Sequence, residues 1–258
     1  GLRKSGSNSI MKVRRLSQAD RTTMKTMPPI VVLAGGLGTR LYPITETAPK
    51  AMLEVASRPF IAHQLALFAR HGIEKAIYCV GHLGEQIESF VGDGSRFGVD
   101  VRYSYDGDRL RGTGGAVRNA LPLAGDEFLV TYGDSYLDIA YAPVVEAFRK
   151  SGTPALMTVF RNDGQWDTSN VEYQNGKIIA YEKKALTPRM QHIDYGLLVM
   201  HREVFDAWES EEPLDLSTVL GGLVEAEKLS GFETTTRFYE IGSLDGIADL
   251  DAHLNKMK

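Results

Sequence analysis

The feature that most constrains the fold is Ile30-Val31-Val32-Leu33-Ala34 running straight into Gly35-Gly36-Leu37-Gly38-Thr39-Arg40. A short, β-branched apolar run reads as a strand buried on both faces, as in a parallel sheet. Glycines directly after it let backbone N–H groups approach an anion closely, because no Cβ intervenes. Arg40 in the loop and Lys50 after Pro49 add fixed positive charge. Arginine grips phosphate bidentately, whereas lysine acts as a point charge. A plain tight turn would account for one or two glycines and for neither cation, so the loop is assigned to phosphate. Two familiar phosphate loops do not fit. The dinucleotide fingerprint needs a glycine three positions past Gly38, where Leu41 stands, and the Gly-Lys-Ser/Thr of a Walker loop is absent.

The rest of the first half alternates strand and helix. Phe60 to Arg70 is predicted helical, with Ile61, Leu65 and Phe68 on one face and His71-Gly72 as its stop. Lys75 to Val80, Val101 to Tyr105 and Glu127 to Tyr132 read as strands, and Glu85 to Val91 and Thr113 to Leu121 as helices. Short connections between alternating elements predict a parallel sheet with helices on both faces. The second half is less regular. Strands are expected at Ala155 to Phe160, Asn170 to Tyr173, Lys177 to Glu182, Ile193 to Met200 and Thr236 to Ile241. Gln174-Asn175-Gly176 signals a hairpin between two of them. Helices are expected near Arg202 to Glu209, Leu216 to Leu229 and Leu244 to Leu254. The fold class is α/β: one domain over residues 28–258, with a mostly parallel mixed sheet flanked by helices.

With 258 residues, 43% hydrophobic and 24% charged, such a chain can bury a sizeable core. A net charge of -4 gives no field that would recruit nucleic acid. No apolar run approaches the roughly 18 residues a membrane span needs. Cys79 has no second cysteine to pair with and reads as a buried strand residue. A reducing cytoplasm fits that usage. Residues 1–27 are basic and polar, with Arg3, Lys4, Lys12, Arg14, Arg15, Arg21 and Lys25, and lack the apolar core of a signal peptide. They are expected to form a disordered tail, with Gly1 a cloning remnant.

The run Leu33-Ala34-Gly35-Gly36-Leu37-Gly38-Thr39-Arg40-Leu41-Tyr42-Pro43-Ile44-Thr45, followed by Ala48-Pro49-Lys50-Ala51-Met52, resembles the signature of the sugar nucleotidylyltransferase family. The resemblance extends from about residue 29 to about residue 253. That family includes glucose-1-phosphate thymidylyl-, mannose-1-phosphate guanylyl- and heptose-1-phosphate guanylyltransferases. The resemblance implies a Rossmann-like fold of the nucleotide-diphospho-sugar transferase type. It also implies an enzyme that joins a nucleoside triphosphate to a sugar 1-phosphate with Mg²⁺ (or Mn²⁺). The stretch Gly112 to Ala116 resembles heptose-1-phosphate guanylyltransferases, while Gly92 to Gly98 also resembles muramate- and mannose-type relatives. GTP with a heptose or hexose 1-phosphate is therefore expected. The alternatives are a UTP- or CTP-using enzyme and a non-catalytic sugar-nucleotide-binding relative.

On this resemblance the nucleotide meets Leu33, Ala34, Gly35, Gly36, Gly38 and Thr39, together with Gly112, Thr113 and Gly114 of a second glycine cluster. Small residues in that cluster would let a flat ring lie against backbone. His82, after Gly81 at a strand end, is a further candidate for the base pocket. Arg40 is expected to grip the leaving phosphates, Lys50 the α-phosphate and Lys183 the sugar phosphate. Asp134 stands at the carboxyl end of its strand, where ligands of open α/β sheets sit, and it suits a hard cation. The resemblance makes it a metal ligand, and Asp138 is read as secondary. Glu240, in Tyr239-Glu240-Ile241-Gly242-Ser243, occupies the position of the family's second metal aspartate. The sugar is expected against Tyr136, Glu172, Glu182, Asp194, Tyr195 and Gly196. Lys184 stands where the family has proline after its Glu-Lys pair, here Glu182-Lys183.

Other chemistries lack their motifs. The six histidines show no zinc spacing, and there is no Gly-x-Ser-x-Gly elbow. Nucleotide-sugar glycosyltransferases typically carry Asp-x-Asp, where this chain has Asp134-Ser135-Tyr136. An appended left-handed β-helix is not expected after the last helix. A monomer or homodimer is expected, with no nucleic-acid or membrane partner.

Overall fold

A computed structural model of the chain describes residues 26–107, 109–182, 184–208 and 213–257. The expected tail lies outside them except for Thr26 and Met27, and Lys183 lies outside them too.

Strand β1 (Ile30–Leu33) lies inside a nine-stranded sheet. Ile30 and Val32 enter one apolar cluster and Val31 another, so the strand is buried on both faces as its composition predicts. A small hairpin, β2 (Glu54–Val55) and β3 (Arg58–Pro59), precedes helix α1 (Phe60–Arg70). The chain then enters β4 (Lys75–Val80), parallel to β1 on one side. Helix α2 (Gly84–Val91) leads to β5 (Asp100–Tyr105), parallel to β4 at the sheet edge. Helix α3 (Gly112–Ala124) carries the chain back across to β6 (Glu127–Tyr132), parallel to β1 on its other side. Chain order therefore reverses at β1. The crevice outside the carboxyl ends at such a reversal is where open α/β sheets receive ligands.

After β6 come the short β7 (Ser135–Tyr136) and helix α4 (Tyr141–Ser151). Strands β8 (Ala155–Arg161), β9 (Val171–Gln174), β10 (Lys177–Tyr181) and β11 (His192–His201) follow. Helix α5 (Leu216–Glu225), β12 (Leu229–Thr234), β13 (Tyr239–Glu240) and helix α6 (Leu244–Lys256) end the chain. The sheet order is β5-β4-β1-β6-β11-β8-β12-β10-β9. Strand β11 runs antiparallel to both β6 and β8, and β12 runs parallel to β8. The hairpin turn between β9 and β10 is built as expected, with Asn175 at φ 50° and Gly176 at φ 82°. The short β13 pairs with β7 rather than with the large sheet.

The structure departs from the sequence expectation in the second half. Helix α4 was not anticipated, although Tyr141, Val144, Val145 and Phe148 form a buried stripe at helical spacing. Its Pro143 stands in the first turn, where a missing N–H costs nothing. The helix expected to reach Leu229 stops at Glu225, and Leu229 opens β12 instead. Glu227 at φ 56° makes the corner. The helix expected from Arg202 shrinks, among the described residues, to a 3-10 turn, Arg202–Phe205. The strand expected from Thr236 to Ile241 is reduced to Tyr239–Glu240.

Candidate active site

The carboxyl ends of β4, β1 and β6 bring three backbone segments together. A Cβ added at Gly35 would lie 3.2 Å from the Gly81 nitrogen, and one at Gly133 would lie 2.8 Å from Ala34 Cβ. Only glycine lets these segments approach so closely, and the approach opens a cleft above them. The cleft has a volume of about 310 Å³. Leu33, Ala34, Gly35 and Gly36 line one wall, and Gly112 and Thr113 at the start of α3 line another. Lys50 and Asp134 also line the cleft.

The rest of the glycine loop turns outward. Gly38 adopts φ 66°, and its carbonyl accepts a hydrogen bond from Thr45 Oγ1 at 2.9 Å. The Lys50 stem packs against it: a Cβ on Gly38 would lie 3.0 Å from Lys50 Cγ. Gly38, Thr39, Arg40, Lys50 and Gly242 line a small polar recess of about 190 Å³. Arg40 is exposed there, with its guanidinium near Gly242.

Lys50 forms an ion pair with Asp134, and both side chains are about four-fifths buried. Asp134 and Tyr132 also line a second cavity of about 320 Å³, so the two cavities meet there. Arg40, Asp167, Thr168, Asn170, Asp194, Tyr195, Gly196 and Glu240 contribute to the second cavity. Glu240 reaches it because β13 pairs with β7: the Ile241 N–H donates to the Asp134 carbonyl at 2.9 Å. Desolvation raises the Glu240 pKa, and the charges of Asp134 and Asp167 raise it further, against Arg40 and Lys50. Crowded hard oxygen donors beside a phosphate-sized recess fit a hard divalent cation. Among the described residues no cluster of three or more potential metal ligands occurs. One or two carboxylates with water and phosphate suffice for Mg²⁺.

Several sequence candidates lie elsewhere. Tyr136 is 4% exposed and packs in a separate apolar cluster with Ile241, Leu250 and Leu254. Glu172 is held by Arg189 at 3.0 Å, and Glu182 is exposed; neither lines the second cavity. His82 is exposed in the turn after β4 and does not line the cleft. Gly114 serves packing: a Cβ there would lie 3.0 Å from the Leu214 carbonyl oxygen. Asp138 is held by Arg70 at 2.8 Å and His71 at 3.1 Å. Lys183 falls outside the described residues.

Other lining residues were not anticipated. Cys79 is buried as expected, but it also lines the cleft, as do Asp106 and Leu110. Asp167, Thr168 and Phe238 line the second cavity. Asp106 carried one usable signal: it follows a strand directly, at a carboxyl end.

The model of the nucleotidyl transferase family matches residues 30–255. The chain belongs to that family. It is 33% identical over 178 residues to a mannose-1-phosphate guanylyltransferase of Mycobacterium tuberculosis, covering 68% of this chain and 49% of the relative. It is 28% identical over 228 residues to an N-acetylmuramate alpha-1-phosphate uridylyltransferase of Neisseria meningitidis, covering 86% of this chain and 96% of the relative. A solved structure of a glucose-1-phosphate thymidylyltransferase homologue from Bacillus anthracis, in complex with sucrose, superposes with a TM-score of 0.79. That match has 25% identity and covers 90% of this chain and 97% of the other. The chain spans about half the length of several of its curated relatives. The fold is the nucleotide-diphospho-sugar transferase fold.

Proposed function

We propose that this nucleotidyl transferase family member moves a nucleoside monophosphate from a nucleoside triphosphate to a sugar 1-phosphate, releasing pyrophosphate. The observation that carries the reading is the junction of two cavities at Tyr132 and Asp134, with Lys50 paired to Asp134. One cavity suits a nucleotide and the other a polyhydroxylated partner, so the bond to be made falls at their meeting point.

A phosphate oxygen of the sugar 1-phosphate attacks the α-phosphorus of the triphosphate. The bond from that phosphorus to the oxygen bridging the α- and β-phosphates breaks, and pyrophosphate leaves on the opposite side. The attacking phosphate is already ionised near neutral pH, since its second pKa is about 6. No strong general base is needed, and catalysis rests on positioning and charge. Lys50 stabilises charge on the α-phosphate, and Arg40, exposed in the recess with Gly38 and Thr39, receives the departing pyrophosphate. Asp134 and Glu240 would hold Mg²⁺ (or Mn²⁺), which supplies Lewis-acid neutralisation of phosphate charge. Asp194 and Asn170 face the sugar hydroxyls; Asn170 Oδ1 already accepts the Asp194 N–H at 3.1 Å. Lys183 is proposed to hold the sugar phosphate.

GTP is the proposed donor, and a heptose or hexose 1-phosphate the proposed acceptor. Four nucleoside triphosphates assayed against a panel of sugar 1-phosphates, with Mg²⁺ and a pyrophosphate readout, test the reading. Pyrophosphate release that depends on both substrates supports it. Release with no pair in the matrix sinks it.

A further inference from the structure

We propose that Arg237 is a positioning residue for the sugar 1-phosphate: through Trp166 it clasps the loop between β8 and β9 to the β13 segment, and so fixes the spacing of two walls of the second cavity. This rests on the reading of that cavity as the sugar site.

The loop from Asn162 to Asn170 supplies Asp167, Thr168 and Asn170 to the cavity. Asn162, only 1% exposed, shapes the loop from within. Its Oδ1 accepts the Trp166 N–H at 3.0 Å. Its Nδ2 donates to Ser169 Oγ at 3.1 Å and to the Asp167 carbonyl. Its own N–H donates to the Gln191 carbonyl, just before β11. These bonds join the loop to itself and to the start of β11. None of them reaches the segment of Phe238 and Glu240, which lines the cavity too.

Trp166 makes that connection. Although the residue is 45% exposed, the guanidinium carbon of Arg237 lies 3.7 Å from the centre of its ring. The same guanidinium lies 4.6 Å from the centre of the Tyr239 ring and pairs with Asp249 of α6. Tyr239 in turn stacks on His253 of α6, with ring centres 4.3 Å apart. Arg237 is therefore held from β13 and α6 and offers Trp166 a fixed planar cation, which attracts the negative face of an indole. Among the described residues its Nε is buried without an acceptor, so the placement favours the stacked faces over one of its donors.

The clasp sets the register across the cavity. Asp167 is the residue after Trp166, and Phe238 and Glu240 flank Tyr239. Holding Trp166 on Arg237 holds Asp167 near Glu240, and the Asp167 charge is one of those that raise the Glu240 pKa. Two such carboxylates repel, so an exposed loop carrying one of them would swing away without an opposing contact. Thr168 and Asn170 follow on the same backbone, so sugar hydroxyls meet their partners at a fixed spacing. The first cavity takes no residue from this loop or from β13. The clasp should therefore act on the sugar 1-phosphate and not on the triphosphate.

The test measures KM for both substrates, using a pair that the wild type accepts, in wild type, Trp166→Ala, Arg237→Met and the double variant. Each single change should raise the sugar 1-phosphate KM by about 5- to 30-fold, the range one cation–π contact spans, and leave the triphosphate KM unchanged. The double variant should be no worse than either single one, because both remove the same contact. Trp166→Phe, which keeps an aromatic face, should stay close to wild type. Acrylamide quenching reads the clasp directly in a Trp208→Phe background, where Trp166 is the one tryptophan left; it should rise on Arg237→Met. An unchanged sugar 1-phosphate KM, an equal rise in both KM values, additive losses or unchanged quenching overturns the inference. If wild type releases no pyrophosphate with any pair, the functional reading fails instead. Calorimetric binding of the sugar 1-phosphates then decides the clasp, which is overturned if Arg237→Met binds as wild type does or if wild type binds none. Should Arg237→Met not fold, Trp166→Ala and Trp166→Phe decide it.

Discussion

Lys50 and Asp134, 84 residues apart in sequence, form an ion pair at the point where the two cavities join. Lys50 opens a 3-10 turn, Lys50–Met52, and Asp134 lies just beyond the end of β6. The pair holds a cation and an anion in reserve where a phosphate and a metal would meet. Asp134→Ala should abolish pyrophosphate release. Lys50→Met should lower kcat by about 100- to 1,000-fold, the usual cost of removing one preorganised charge-stabilising group. Near-normal turnover by either variant, in a steady-state pyrophosphate assay, would remove that residue from the chemistry.

Gly38 sets the position of Lys50. Its φ of 66° favours glycine, and a Cβ would press at 3.0 Å on both Lys50 Cγ and Thr45 Cγ2. Gly38→Ala should cost about 1–2 kcal/mol of stability through the left-handed backbone alone. Displacement of the lysine should lower kcat as well. Thermal melting and steady-state kinetics on one preparation separate the two effects. A lowered melting point with wild-type kcat would mean that the loop tolerates a shifted Lys50.

The first half of the fold was legible because its signals are local. A β-branched run such as Ile30 to Leu33 and a helix stop such as His71-Gly72 need no knowledge of distant chain. The second half depends on tertiary pairing. Strand β12 contains Ser230-Gly231, a poor strand sequence in isolation, and Gly231 is there because a Cβ would meet the Tyr173 ring at 2.6 Å. The site divides the same way. Arg40, Lys50 and Asp134 announce themselves by charge beside glycine. Asp106 does not, because an aspartate before glycine also reads as an ordinary turn residue. Tyr136 and Glu172 could not be placed by sequence, which does not say which face of a two-residue strand is buried or which surface arginine takes a carboxylate.

Glu240 predicts a pH effect of defined sign. Its folded pKa is raised, first by desolvation and then by Asp134 and Asp167. The folded protein therefore binds a proton more tightly than the unfolded chain. Stability from this group is present below the ordinary glutamate range and is lost as pH rises through the raised value. Because Glu240 is exposed and screened by solvent, Glu240→Gln should melt only slightly above wild type at neutral pH, and the gap should close on acidification. It should also need more Mg²⁺ to reach half-maximal rate. Melting curves across that pH window, with Mg²⁺ titrations of rate, check both; a gap that widens in acid would contradict the assignment.

Cys79 lines the cleft and is 1% exposed, and its Sγ–H donates to the Ala116 carbonyl at 3.5 Å. Burial, with the Asp106 charge second, pushes its pKa up to about 12. Reactivity follows the thiolate, which is scarce at pH 8 under those conditions. The native protein should therefore resist a thiol-specific chromogenic disulfide at pH 8, although the sulfur borders a ligand cavity. With a single cysteine in the sequence, one equivalent should react after denaturation. Rapid labelling of the native protein would show that the α3 entry opens, and bound nucleotide should then slow the reaction.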